Sequence, residues 1–190
     1  SIEGGKIKPS KSLQDALVLM LDGNEEFKLI DAQKVVFERI RKIAMKKIMS
    51  GEKNVFIIKG GPGTGKSVLA INLLVKLNSA GYITQYVSKN SAPREVYSLK
   101  LKGNYTQKYI GNLFKGSGSY VESRENEIDV LLVDEAHRLN KKSGLFQNKG
   151  ENQIKEIINA SKLSVFFIDE AQKVTLNDIG SVEEIKKYAN

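Results

Sequence analysis

Between residues 55 and 80 the sequence passes from a short apolar run into Gly60-Gly61-Pro62-Gly63-Thr64-Gly65-Lys66-Ser67 and on into a helix-patterned stretch, residues 67–80. The octet fits G-x-x-x-x-G-K-[ST] at every position. Its setting is a strand, a glycine loop and a helix closed by Gly81, and few folds provide that setting. Successive loop amides and the helix N-terminus can point at one spot and hold phosphate oxygens there. The glycines let the backbone close around the anion without Cβ clashes. Lys66 then reaches the β- and γ-phosphates, and the Ser67 hydroxyl ligates Mg2+. The pattern predicts a phosphate-binding loop made of Gly61, Pro62, Gly63, Thr64, Gly65, Lys66, Ser67 and Val68, with a nucleoside triphosphate and Mg2+ as its ligands.

The surrounding pattern says what sheet the loop belongs to. Residues 55–59, 83–88, 129–134 and 163–169 read as strands, and 67–80 and 153–160 as helices between them. Strands alternating with helices need crossover connections, which predicts a parallel α/β sheet flanked by helices, with its working edge at the strand C-terminal ends. Upstream, Ser12 to Asp15 has the spacing of a capping box that opens a short apolar helix ending at Gly23. Residues 31–49 form an amphipathic helix with Val35, Val36, Ile40, Ile43, Ala44 and Ile48 on one face, ended by Ser50 and Gly51. Residues 1–51 are thus a helical lead-in, and 52–190 the nucleotide-binding domain. The glycine-rich stretch 100–126 is the least regular, with a short helix near 107–114 or a mobile insert as its two readings.

A second motif belongs at the same edge. In Val133-Asp134-Glu135-Ala136-His137 two carboxylates stand where an apolar strand ends. Asp134 is placed to hold Mg2+, usually through water, and Glu135 to polarise a water for attack on the γ-phosphate. Alone, such a pair is often a solvated turn; beside the phosphate loop it reads as hydrolytic machinery. The extra Glu favours hydrolysis over transfer to a small acceptor.

Composition narrows the rest. With 190 residues there is room for one ordinary domain, and 41% hydrophobic against 27% charged residues suffices for a core. Cysteine is absent, which excludes disulfides, thiolate zinc and a thiol nucleophile, and fits a reducing cytoplasm. A single histidine excludes His-rich metal centres. No apolar run approaches the roughly 18 residues of a membrane helix, and residues 1–11 lead into no secretory signal. The net charge of +8 suits polyanionic partners, or a basic solvated surface.

Four stretches together resemble the first RecA-like domain of a superfamily-one helicase, and most closely the bacterial Schlafen-type DNA/RNA helicase domain: Leu29-Ile30-Asp31-Ala32-Gln33, the phosphate loop, the Asp134-Glu135 motif, and Phe166-Phe167-Ile168-Asp169-Glu170-Ala171-Gln172 followed by Asp178-Ile179-Gly180-Ser181. The segment Val87-Ser88-Lys89-Asn90-Ser91-Ala92-Pro93-Arg94 is also similar to that family's segment after the second strand. The resemblance implies that the chain is a P-loop NTPase with a RecA-like sheet, and that the Asp169 strand lies between the other two motif strands. It implies that Gln33 reads the adenine edge, a plain helix-start glutamine being the other reading, and that Gln172 contacts the γ-phosphate and relays its loss. Ser91 and Arg94 become candidates for nucleic-acid phosphate contacts. Two spellings depart from the family: His137 gives D-E-A-H, familiar in superfamily two, and no glycine precedes Asp169. The resemblance also implies a second RecA-like domain in a longer parent protein. An arginine finger from such a domain contributes about 10³ to 10⁵ in rate, so these 190 residues are expected to hydrolyse ATP weakly.

Residues 94–121 hold Arg94, Lys100, Lys102, Lys108 and Lys115 among Tyr97, Tyr105, Tyr109, Phe114 and Tyr120. Cations among rings suit single-stranded DNA or RNA, while packing aromatics and a solvated lysine face are the plainer reading. Two rival functions remain open. A guanine-specific switch would need Asn-Lys-x-Asp, and Asn140-Lys141-Lys142-Ser143 fails at the Asp. A nucleotide-regulated binding module without helicase activity would keep the phosphate loop and dispense with turnover.

Overall fold

The computed structural model describes residues 11–23, 25–60, 65–100, 111–169, 171–172 and 178–190. Two helices open the chain, α1 (Lys11–Gly23) and α2 (Asp31–Ser50). Then come β1 (Asn54–Lys59), α3 (Lys66–Ser79), β2 (Thr84–Ser88), α4 (Ser91–Lys100), β3 (Phe114–Gly116) and β4 (Ile128–Val133). They are followed by α5 (Gln153–Ala160), β5 (Ser161–Ile168) and α6 (Val182–Ala189). The five strands pair in parallel in the order β1-β5-β4-β2-β3. The strand that leads to Asp169 therefore lies between the phosphate-loop strand and the Asp134 strand, as the family resemblance implies.

The near-continuous apolar strands are those of a sheet buried on both faces. Alternate residues go to opposite layers. Val130, Leu132, Leu163, Val165 and Phe167 pack with α1 to α4, whereas Leu131, Val133, Phe166 and Ile168 pack with α5 and α6. Leu17, Met20, Phe27, Ile40, Ala44 and Ile48 belong to the first of these clusters, so the two N-terminal helices are a layer of the sheet's own core.

Several local expectations change. Helix α1 begins at Lys11, which places Ser12 inside the first turn and not at the cap. In α2 the buried line is Ile40, Ala44 and Ile48, one residue per turn, and Val35 and Val36 near the start stay exposed. Gly51 closes α2 with φ 76°, and Gly81 turns the chain at φ 93° after α3, where the Tyr82 N–H donates to Leu77 O at 3.0 Å. Phe114 is not helical: it opens the edge strand β3, paired with Tyr86. Residues 101–110 lie outside the described residues. No helix among the described residues is long and apolar enough to cross a membrane.

Candidate nucleotide-binding site

Parallel pairing brings the ends of β1, β5, β4 and β2 to one edge of the sheet. Gly60 leaves β1 with its N–H donating to Ile168 O at 3.1 Å, so the start of the phosphate loop is fastened beside Asp169. Gly61, Pro62, Gly63 and Thr64 lie outside the described residues. At the far end of the loop Gly65 has φ 78°, a conformation other residues avoid, and a β-carbon there would fall 1.8 Å from Gln33 Nε2. Gln33 is therefore seated against the loop. Its Oε1 accepts the Ile30 N–H at 2.9 Å, capping α2, which is the helix-start role. Lys66 Nζ donates to Gly60 O at 2.7 Å, returning its ammonium to the loop's beginning, and Val68 follows Ser67 in the first turn of α3.

Ser67 and Asp134, 67 residues apart in sequence, meet: Ser67 Oγ donates to Asp134 Oδ2 at 2.6 Å. Asp134 is almost wholly buried and holds three donors, since Tyr86 OH also donates to Oδ2 and the Glu135 N–H to Oδ1 at 2.9 Å. A buried carboxylate needs that satisfaction. Burial, and then the negative charge of Asp134, push the Tyr86 hydroxyl far above its ordinary range, which keeps it a donor. No group of three or more His, Cys, Asp or Glu among the described residues could cage a metal. One hydroxyl and one carboxylate fit Mg2+, which is held by one or two protein oxygens, substrate phosphates and water.

Glu135 has φ 47° and ψ 48°, a left-handed backbone that costs a non-glycine residue of the order of 1 kcal/mol or more. The turn after it, Ala136–Arg138, holds that conformation through Arg138 N–H to Glu135 O at 2.9 Å. Asn90, just past β2, extends its Nδ2 to Glu135 Oε2 at 3.5 Å, a long and weak contact.

His137 joins two of the motifs. The Asp169 N–H donates to its Nδ1 at 3.3 Å, so the neutral ring carries its proton on Nε2, which donates to Gln172 Oε1 at 3.1 Å. Asp169 is buried; its Oδ1 accepts the Ala171 N–H at 3.0 Å, while Oδ2 has no partner among the described residues. Glu170 lies outside the described residues. Gly180 packs so closely on this turn that a β-carbon would fall 1.7 Å from Ala136 O.

The candidate nucleic-acid residues sit to one side, on α4. Ser91 is exposed at the helix start. Arg94 is half-buried, with Nε donating to Ser88 Oγ at 3.2 Å and its guanidinium over Gly116. Of the aromatics proposed for base stacking, Tyr97, Phe114 and Tyr120 are buried, which removes them as stacking platforms; Tyr105 and Tyr109 lie outside the described residues. Tyr86 and Asn90 escaped the sequence reading. A tyrosine inside an apolar strand reads as core, and only the neighbouring strand shows that its hydroxyl meets a carboxylate.

Comparison with known proteins adds one match. The family model described as Schlafen group 3, DNA/RNA helicase domain, matches residues 53–190. No curated protein matches the chain.

Proposed function

This chain belongs to the Schlafen group 3 DNA/RNA helicase domain family, and we propose that it binds Mg-ATP and hydrolyses it as the first RecA-like domain of a helicase-like ATPase. The observation that carries the proposal is the Ser67–Asp134 contact at 2.6 Å, formed at the foot of the phosphate loop between the first turn of α3 and the end of β4. A hydroxyl and a buried carboxylate meeting there are the pair that P-loop NTPases use for Mg2+.

In this reading Ser67 and Asp134 would hold Mg2+. Bound there, the ion would neutralise phosphate charge. Lys66 contributes a positive charge to the triphosphate, and the loop amides from Gly61 to Gly65 its cradle. Glu135 accepts the proton of the attacking water, and its strained backbone keeps the carboxylate at the strand end, where Asn90 restrains it. Gln172 acts at the γ-phosphate, and His137 ties it to the Asp134-Glu135 turn. Gln33 reads the adenine by exchanging its cap contact with the Ile30 N–H for the purine edge. Ser91 and Arg94 contact single-stranded DNA or RNA, whose grip on the α4 loop is thereby next to Asn90.

Glu135→Gln separates binding from turnover. Phosphate release should fall at least about 100-fold, the usual scale of a lost general base, with affinity for Mg-ATP kept. Equal release by the variant and the wild type would leave a nucleotide-regulated switch or binding module as the function.

A further inference from the structure

The segment after the acidic turn takes no part in the nucleotide chemistry, yet it is tightly built. Ser143 and Lys149 exchange both main-chain hydrogen bonds, at 2.7 and 3.0 Å, and Gly144, Gln147 and Gly150 turn the chain with positive φ. Lys142 Nζ donates to Gly150 O at 2.8 Å. Its base is anchored in buried polar groups: the Asn140 N–H donates to Gln153 Oε1 at 2.8 Å, and Gln153 Nε2 to Ser143 Oγ at 3.1 Å. At the tip Leu145 and Phe146 are 90% and 81% exposed. An ordered hairpin that holds two large apolar side chains in water gains nothing in folding from them.

Charge and position identify the occupant. Residues 141–150 contain Lys141, Lys142 and Lys149, all exposed, and no Asp or Glu. The hairpin packs on the loop that leaves β3, where a β-carbon on Gly118 would come within 3.0 Å of the Ser143 side chain. Lys89, just past β2, reaches Asn140 Oδ1 at 3.3 Å. The base of the hairpin thus stands beside the end of β2, from which α4 with Ser91 and Arg94 follows. Between it and the post-β3 loop runs an open cleft of about 470 Å3, lined by Gly118, Ser119, Val121, Glu122, Lys149 and Gly150. Acidic groups stand at the hairpin's base, where Glu122 lines the cleft, Glu151 pairs with Lys155 and Glu156 lies against Gly150, and the tip itself carries none. An exposed ring flanked by exposed lysines is what an unpaired strand requires: phosphates meet ammonium groups and a base stacks on the ring.

We propose that the 140–150 hairpin is a binding element for single-stranded nucleic acid, with Phe146 as its stacking platform and Lys141 and Lys149 as its phosphate contacts. The proposal rests on the helicase-like reading given above and adds an element that the motifs do not contain.

The test is anisotropy of labelled oligo-dT and oligo-U of about 15 nucleotides, titrated with the 190-residue chain at several salt concentrations. Phe146→Ser should weaken binding about ten-fold with the salt slope unchanged, and Phe146→Tyr should restore it. Lys141→Gln with Lys149→Gln should lower the slope of log K against log salt by about 1.4. A fluorescent ATP analogue should bind all variants equally, which shows the fold intact. Wild-type affinity in Phe146→Ser overturns the hairpin proposal and leaves the helicase-like reading standing. No oligonucleotide binding by a wild-type chain that does bind the ATP analogue overturns the nucleic-acid reading as well. Self-association of the wild type that Phe146→Ser abolishes, with oligonucleotide affinity unchanged, makes the tip a protein contact and also overturns the proposal.

Discussion

At Asp134 three donors from three different elements close on one buried carboxylate: Ser67 from α3, Tyr86 from β2 and the amide of Glu135. Removing the Tyr86 hydroxyl leaves Oδ2 with one donor. Tyr86→Phe should cost about 1–2 kcal/mol in chemical denaturation and weaken Mg-nucleotide binding several-fold. Unchanged values in both measurements would mean that the hydroxyl does not position the carboxylate. Tyr97, packed edge-on against Tyr86 with ring centroids 5.4 Å apart, has its hydroxyl pushed up to about 12, by burial first and by the charge of Asp134 second. The unfolded chain ionises this tyrosine near pH 10 and the folded chain near pH 12. Its contribution to stability is therefore complete below pH 10 and disappears as pH rises through 12. Between those values Tyr97→Phe should lose stability less steeply than the wild type; parallel curves would contradict that.

At the scale of elements, the site depends on how tightly the chain segments approach one another. Gly180 lies against the turn that carries Glu135 and His137, with no room for a methyl group beside Ala136 O. Gly180→Ala must displace main chain, and should cost about 1–3 kcal/mol and slow turnover more than it weakens nucleotide binding. An alanine variant with wild-type stability would show that this approach is not needed. Strand β1, helix α3 and the strand end at Asp134 were all legible in the sequence, because spacing and apolar runs record local chemistry. Strand β3 was not: its three residues, Phe114, Lys115 and Gly116, show no alternation and form a strand only because β2 offers an unpaired edge. Helix α6 did carry a signal that went unread, Ser181 three residues before Glu184. Ser181 Oγ accepts the Glu184 N–H at 3.2 Å. Of the two readings of the aromatics, the packing one holds for Tyr97 and Phe114, drawn inward by the packing of α4 and β3 on Tyr86, and for Tyr120, buried in the opposite layer with its hydroxyl donating to Gln85 Oε1 at 2.7 Å.

For the molecule as a whole, one parallel sheet sorts its chemistry by strand order. The phosphate loop, Asp169, Asp134 and the β2 loop with Asn90 follow one another along a single edge, and the cationic hairpin joins them at the β2–β3 side. Nucleotide and nucleic acid would then meet the same edge at opposite ends, with Asn90 and Glu135 between them. The central claim is that this edge takes Mg-nucleoside triphosphate through its phosphates. Calorimetric titration of a non-hydrolysable ATP analogue with Mg2+ into the wild-type chain and Lys66→Ala tests it most directly. The account predicts measurable binding by the wild type and at least about ten-fold weaker binding by the variant, the scale of one charge-assisted phosphate contact. Equal affinity in the two proteins, or no binding by the folded wild type, would contradict it.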